Sequence, residues 1–132
     1  MHMRLLVVDD ERDVKLLFEQ KFRREIRSGE VELVYAYSGE DALQMLLASE
    51  STDIIIILSD INMPGMTGLE LLKEIKEKMP QKGVMMITAY GDDNTKSNAM
   101  RGGADDFVTK PINFEDLKLR IAALRARIQK EQ

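Results

Sequence analysis

The chain has 132 residues, 44% of them hydrophobic and 32% charged, with a formal net charge of -4. That length favours one domain with a core large enough to fold unaided, and the charge balance argues against direct nucleic-acid binding through a strongly basic surface. The absence of cysteine excludes disulfides, a thiol nucleophile and a zinc–thiolate centre, and fits a reducing, cytoplasmic setting.

Residues 1–3, "MHM", read as a cloning remnant or a disordered start, and 4–130 as the domain; His2, the only histidine, receives no role. There is no signal-peptide h-region. The longest aliphatic run, Ile54 to Leu58, is far too short to span a bilayer, so no membrane association is expected.

Five strand-like runs occur in succession: Leu5–Val8, Val31–Tyr37, Ile54–Leu58, Val84–Ile87 and the less apolar Asp105–Val108. Their starts lie roughly 20 to 30 residues apart, the length of a strand plus a crossover helix. The segments between them have helical spacing. Val14, Leu17, Phe18, Phe22 and Ile26 mark the apolar face of a first helix; Ala42, Leu43, Leu46 and Leu47 that of a second; Leu69, Leu72, Ile75 and Met79 that of a third. Thr67-Gly68-Leu69-Glu70 has the capping-box pattern, and Ser38 before Gly39-Glu40-Asp41 a weaker version. A fourth helix over 94–101 is rich in poor helix formers and is expected to be loosely held. The last carries Phe114, Leu117, Ile121, Leu124 and Ile128, which fit a core face; the heptad-like spacing also leaves open late turns that join a homodimer or lead to an output domain. Arg120, Arg125, Arg127 and Lys130 read as a solvated basic face.

This alternation argues for parallel βαβ units with right-handed crossovers. Ile54–Leu58 is apolar throughout, as in a strand covered on both faces. Val31–Tyr35 admits Glu32 and Asp105-Asp106 opens the last run, so both read as edges. The expected fold is α/β: a three-layer αβα sandwich, flavodoxin-like (βα)5, with a parallel sheet of order 2-1-3-4-5.

In such a sheet the strand C-termini share one edge, where ligands bind. The first strand runs into Asp9-Asp10-Glu11, the third into Ser59-Asp60, the fourth into Thr88, the fifth into Thr109-Lys110-Pro111. Strands one and three are neighbours in this order, which crowds Asp9, Asp10 and Asp60 into one pocket. Taken singly, Asp9, Asp10 or Glu11 could merely favour a helix N-terminus, Thr88 could be a β-branched strand end, and Lys110 could snorkel. Asp60 is harder to dismiss, because a charge at the end of a buried strand is costly unless partnered. Two things could relieve the repulsion: Lys110, or a divalent cation. An all-oxygen donor set selects Mg2+, with Mn2+ as a stand-in. With a metal present, Thr88 and Lys110 could supply a donor and a cation to phosphoryl oxygens.

The stretches "LLVVDDE" (5–11), "SDINMPGMTGLELL" (59–72), "ITAYG" (87–91) and "GADDFVTKPI" (103–112) resemble the receiver domain of two-component response regulators, in order and over most of the chain. The resemblance implies that Asp60 is the phosphoacceptor, taking a phosphoryl group from a phosphohistidine on a partner histidine kinase or phosphotransfer protein. It implies Asp10, Asp60 and the backbone carbonyl of Asn62 as metal ligands, with Asp9 acting through a water. Lys110 and Thr88 would bind the phosphoryl group beside the small Ala89, and Lys110–Pro111 would be a cis bond. Phe107 would turn inward when Thr88 moves, altering the surface of the fourth helix, fifth strand and last helix for a downstream effector. Asn62 and Tyr90 would tune phosphoryl lifetime.

On this reading the chain is a signalling phosphoacceptor, with self-directed chemistry only: phosphorylation from small donors and autodephosphorylation. An alternative is a Mg2+-dependent aspartyl-phosphate hydrolase using Asp60 as nucleophile. That class carries D-x-D where this chain has Asp60-Ile61-Asn62, so the second carboxylate is missing. A flavodoxin-like electron carrier would need a hydroxyl-rich phosphate loop where this chain has Asp9-Asp10-Glu11.

Overall fold

The computed structural model describes residues 2–48, 53–89 and 91–131. Its elements are β1 (Met3–Val8), α1 (Asp13–Lys21), α2 (Arg23–Arg27), β2 (Val31–Ala36), α3 (Gly39–Leu47), β3 (Ile54–Asp60), α4 (Gly68–Lys78), β4 (Gly83–Thr88), α5 (Asp93–Arg101), β5 (Asp106–Thr109) and α6 (Phe114–Glu131). The sheet is parallel, in the order β2-β1-β3-β4-β5, so the predicted topology and both predicted edges hold. Met3 already belongs to β1 and is paired with Val31.

Period-two alternation sends neighbouring side chains to opposite faces of the sheet. Leu6, Val8, Ile57 and Met86 point to one face, with Leu46 of α3, Leu71, Leu72 and Ile75 of α4 and Ala99 of α5. Leu5, Val7, Ile56, Leu58 and Met85 point to the other, with Phe18 of α1, Phe22, and Leu117, Ile121 and Leu124 of α6. Each such side chain withdrawn from water contributes about 2 kcal/mol, and the two layers bury the central strands β1, β3 and β4 on both faces.

The first helix departs from expectation. It is interrupted at Phe22, which has φ -101° and ψ 16°, although Phe22 N–H still donates to Phe18 O and Ile26 N–H to Phe22 O, both at 2.9 Å. The kink lets the Phe22 ring stack on Phe18 with centroids 5.8 Å apart, while Phe114 meets both rings edge-on. Two residues assigned to the core face of this helix, Leu17 and Ile26, lie at the surface, as does Leu47 at the end of α3.

The end of α4 nearest the strand termini is fixed by a full capping box. Thr67 Oγ1 accepts from Glu70 N–H, and Glu70 Oε1 accepts from Thr67 N–H. Ser38 caps α3 by accepting from Asp41 N–H at 3.0 Å. α5 is capped by Asp92 but buries only Ala99; its polar composition leaves it little to pack. The stripe of α6 is a core face: Leu117, Ile121, Leu124 and Ile128 are buried and Phe114 half-buried. Its arginines remain partly exposed, but two of them are also paired, Arg120 with Asp106 and Asp116, and Arg127 with Asp105. The pairs with Asp105 and Asp106 tie α6 to the start of the edge strand β5.

Candidate functional site

The sheet register decides what meets at the C-terminal edge. Val8 lies opposite Ser59, Asp60 opposite Ile87, and Thr88 opposite Thr109. The residues just beyond β1 and at the end of β3 therefore converge: one carboxylate oxygen from each of Asp9, Asp10 and Asp60 lies within 4.8 Å of the others. Asp9 is buried and Asp10 exposed, while the Asp60 side chain is 12% exposed. Acid of this kind at the end of a buried strand requires partners, and it has them. Lys110 Nζ reaches Asp9 Oδ2 at 3.2 Å and Asp60 Oδ2 at 3.4 Å. The other oxygens are held by backbone: Glu11 N–H donates to Asp9 Oδ1 and Ile61 N–H to Asp60 Oδ1.

Lys110 follows β5 directly and is anchored to β4 by its N–H, which donates to Thr88 O at 2.8 Å, and the peptide bond to Pro111 is cis. Burial, reinforced by the charge of Asp9, raises the Asp60 carboxyl above its ordinary value despite the opposing pull of Lys110. Burial works against the Lys110 ammonium as well, but Asp9 and Asp60 together outweigh it and hold that pKa above the ordinary one. One ammonium thus pairs with two of the three clustered carboxylates, and the cluster has more acids than cations. All the donors are hard oxygens. Both facts suit Mg2+ or Mn2+, so these residues fit the metal their sequence pattern suggests.

Thr88 is fully buried at the end of β4, with Ala89 exposed beyond it. Asn62 is exposed on the loop after Asp60. Phe107 is buried among Met86, Ala99 and Ala104 on the α5 side of the sheet. Tyr90 lies outside the described residues. Sequence reasoning missed a clasp on the loop after Asp60: Glu40 Oε2 accepts Met66 N–H at 3.1 Å. Glu40 reads locally as an ordinary acid in a first helical turn, and a bond to a loop 26 residues away has no local signature. A cleft of about 770 Å3 opens beside the cluster, lined by Asp9, Lys110 and the apolar Val14, Leu17, Ile112 and Phe114.

The fold is a doubly wound α/β domain, and the acidic pocket lies at the strand C-termini next to the switch in strand order, where folds of this class bind ligands. The chain belongs to the response regulator receiver domain family, whose sequence model matches residues 5–122. A cyclic di-GMP phosphodiesterase of Thermotoga maritima is 39% identical over 97 residues, which is 73% of this chain and 25% of that protein. The response regulator protein PilR of Pseudomonas aeruginosa is 38% identical over 126 residues, 92% of this chain and 26% of PilR. The transcriptional regulatory protein YrkP of Bacillus subtilis is 34% identical, over 93% of this chain and 49% of its own length. The chain thus spans about a quarter to a half of these relatives. Among solved structures, a response regulator receiver domain protein from Clostridium thermocellum superposes with a TM-score of 0.87 at 25% identity, covering 98% of this chain and 99% of that one. A CheY-like receiver domain protein from Methanospirillum hungatei gives 0.83 at 27% identity, with 100% of each chain covered. Among the described residues no helix is long and apolar enough to cross a membrane.

Proposed function

We propose that Asp60 accepts a phosphoryl group from the phosphohistidine of a partner histidine kinase or phosphotransfer protein. An Asp60 oxygen bonds to phosphorus as the P–N bond breaks; the imidazole nitrogen keeps the electron pair and takes up a proton. The observation that carries this reading is the part-buried Asp60 carboxylate, sharing the Lys110 ammonium with Asp9 inside a three-acid cluster. Asp10, Asp60 and the Asn62 carbonyl, with Asp9 through a water, would hold Mg2+. When bound, that ion supplies positive charge for the acids and the phosphoryl oxygens.

The chain's own residues do the rest. Lys110 pairs with a phosphoryl oxygen, Thr88 donates its hydroxyl to another, and Ala89 leaves room beside them. Phosphorylation trades one carboxylate charge for a group with greater negative charge and three strong acceptors. Thr88 is drawn to it, and the packing of Phe107 against β4 and α5 changes. The weakly anchored α5 lies on this route, which suits an element with two near-equal arrangements. The α5–β5–α6 face then presents the signal to an output domain or effector in the cytoplasm, with Asn62 and Tyr90 setting its lifetime.

The test is phosphoryl uptake from acetyl phosphate or phosphoramidate with Mg2+. Wild type is expected to incorporate label and Asp60→Asn to lose it. Equal labelling of the two proteins would rule out Asp60 as acceptor, and steady turnover of a small phosphate ester would favour a hydrolase instead.

A further inference from the structure

The kink at Phe22 has a second result. It turns the five-residue α2 against α6 and opens a groove of about 1180 Å3 on the α1–α2–α6 side of the molecule, which meets the cleft beside the acid cluster at Lys21, Glu115 and Lys118 but includes none of the clustered acids. The groove is lined by five cations, Lys21, Arg23, Arg24, Arg27 and Lys118, against two carboxylates, Glu25 and Glu115. In a chain of net charge -4 this is a local reversal of sign.

The carboxylates do not neutralise it. Glu25 is engaged by Lys118 at 3.0 Å. Burial opposes its ionisation, but the hydrogen bond from Lys118 and neighbouring charge hold its pKa below the ordinary value. Among the described residues none of the guanidiniums of Arg23, Arg24 and Arg27 takes part in an ion pair. Lys21 does no more than lean on the Phe114 ring, 5.9 Å from its centroid. An adjoining groove shares Glu25 and Lys118 and extends along α6 to Arg125, whose buried Nε has no hydrogen-bond partner among the described residues. Together they form a track with six cations against three carboxylates, Glu25, Glu30 and Glu115, which along α6 from Glu115 to Arg125 is roughly 15 Å long, at 1.5 Å per residue.

From this track we infer that the α2–α6 groove docks an acidic segment of a partner protein. A protein segment fits better than a nucleic acid for three reasons. The three carboxylates along the track would oppose a regularly charged phosphodiester chain. Its phenylalanines are turned inward or capped by lysine, leaving no aromatic platform for bases. Its lining includes exposed Leu119, 71% accessible, which suits an apolar position of an amphipathic acidic helix about three turns long. The inference is independent of the phosphoryl chemistry at Asp60, since none of these residues belongs to the acid cluster.

The experiment is fluorescence anisotropy on the intact chain with a labelled helical peptide of Glu and Leu. Single-stranded DNA of equal net charge is the competitor class. The peptide is expected to bind wild type, more weakly as salt is raised. Reversing Arg23, Arg24 and Arg27 to Glu is expected to weaken it at least about tenfold, because complementary charge at the interface is replaced by like charge. Reversing Lys73 and Lys96 on the opposite face is expected to change it less than about twofold. Amide NMR of the unsubstituted protein with the peptide should shift resonances within 21–28 and 115–125. Undetectable peptide binding, equal sensitivity to the two sets of reversals, shifts confined to another face, or tighter binding of the DNA would each overturn the inference.

Discussion

Replacing Lys110 by Met keeps most of the stem and removes the one ammonium that Asp9 and Asp60 share, at 3.2 and 3.4 Å. Coulomb's law at an effective dielectric of about 20 gives roughly 5 kcal/mol for each contact, but that gross figure is not what folding loses. The lysine also recovers its own hydration when unpaired, and its side chain is 30% exposed. A second limit comes from Asp60 itself. Its pKa is already raised by burial, and without Lys110 it rises further, so the folded protein can bind a proton instead of bearing the full repulsion. Protonating one carboxyl at pH 7 costs about 1.4 kcal/mol for each pH unit above its pKa, or roughly 4 kcal/mol from an ordinary value near 4. The expected loss at pH 7 is therefore about 2 kcal/mol and cannot much exceed 4.

The sign of the pH dependence separates charge from packing. A carboxyl whose folded-state pKa is raised binds its proton more tightly in the folded state, so its stabilising contribution is present below the unfolded value and is lost as pH rises through the folded one. The deficit of Lys110→Met should thus be largest near neutrality and shrink as pH falls through the carboxylate range. Urea unfolding of both proteins from acid to neutral pH measures it. With a slope of 1 to 3 kcal/mol per molar urea, the midpoint should fall by roughly 1 M at pH 7. A deficit that stays constant across the range would place the effect in packing, and equal stability at pH 7 would refute the electrostatic account.

Mg2+ should stabilise the wild type against urea by about 2.7 kcal/mol at a hundredfold excess over its dissociation constant, and Asp10→Ala should lose most of that gain. Gly68→Ala should both destabilise the fold, by about 2 kcal/mol or more, and impair phosphoryl uptake, because a Cβ there would collide with the Asp60 carbonyl and the Ile61 backbone; unchanged uptake would show that the loop after Asp60 tolerates displacement. Native-state hydrogen exchange should find α5 amides opening far more often than those of β3, since α5 buries only Ala99 whereas β3 is buried along most of its length.

The central strands were legible because their apolar runs have one physical explanation, cover on both faces. Their ends were harder. Ser59, Asp60, Thr88 and Thr109 are polar, so hydrophobicity alone stopped the strands early, yet the ladder continues through Asp60–Ile87 and Thr88–Thr109. The acid cluster was legible from topology: once β1 and β3 are neighbours, the acids at their C-terminal ends must meet. The kink at Phe22 was not, since Phe22 continues the apolar stripe, and the ring contacts that accompany the kink, stacked on Phe18 and edge-on to Phe114, are not local in sequence. Lys82 left no signal either. It reads as a turn residue after Pro80, yet its side chain is buried, with Nζ donating to Ile54 O at 2.5 Å. Asp105 looked like the start of an edge strand. It instead ties Lys76, Val84 N–H and Arg127 together, a role that three separate elements create.

The central claim is that a single carboxylate, held at the end of β3, takes the phosphoryl group. Its most direct test is to phosphorylate the intact wild-type chain, reduce the acyl phosphate with borohydride and locate the modified residue by peptide mass spectrometry. The account predicts modification at Asp60 and at neither Asp9 nor Asp10. Modification of another residue, with Asp60 intact, would contradict it.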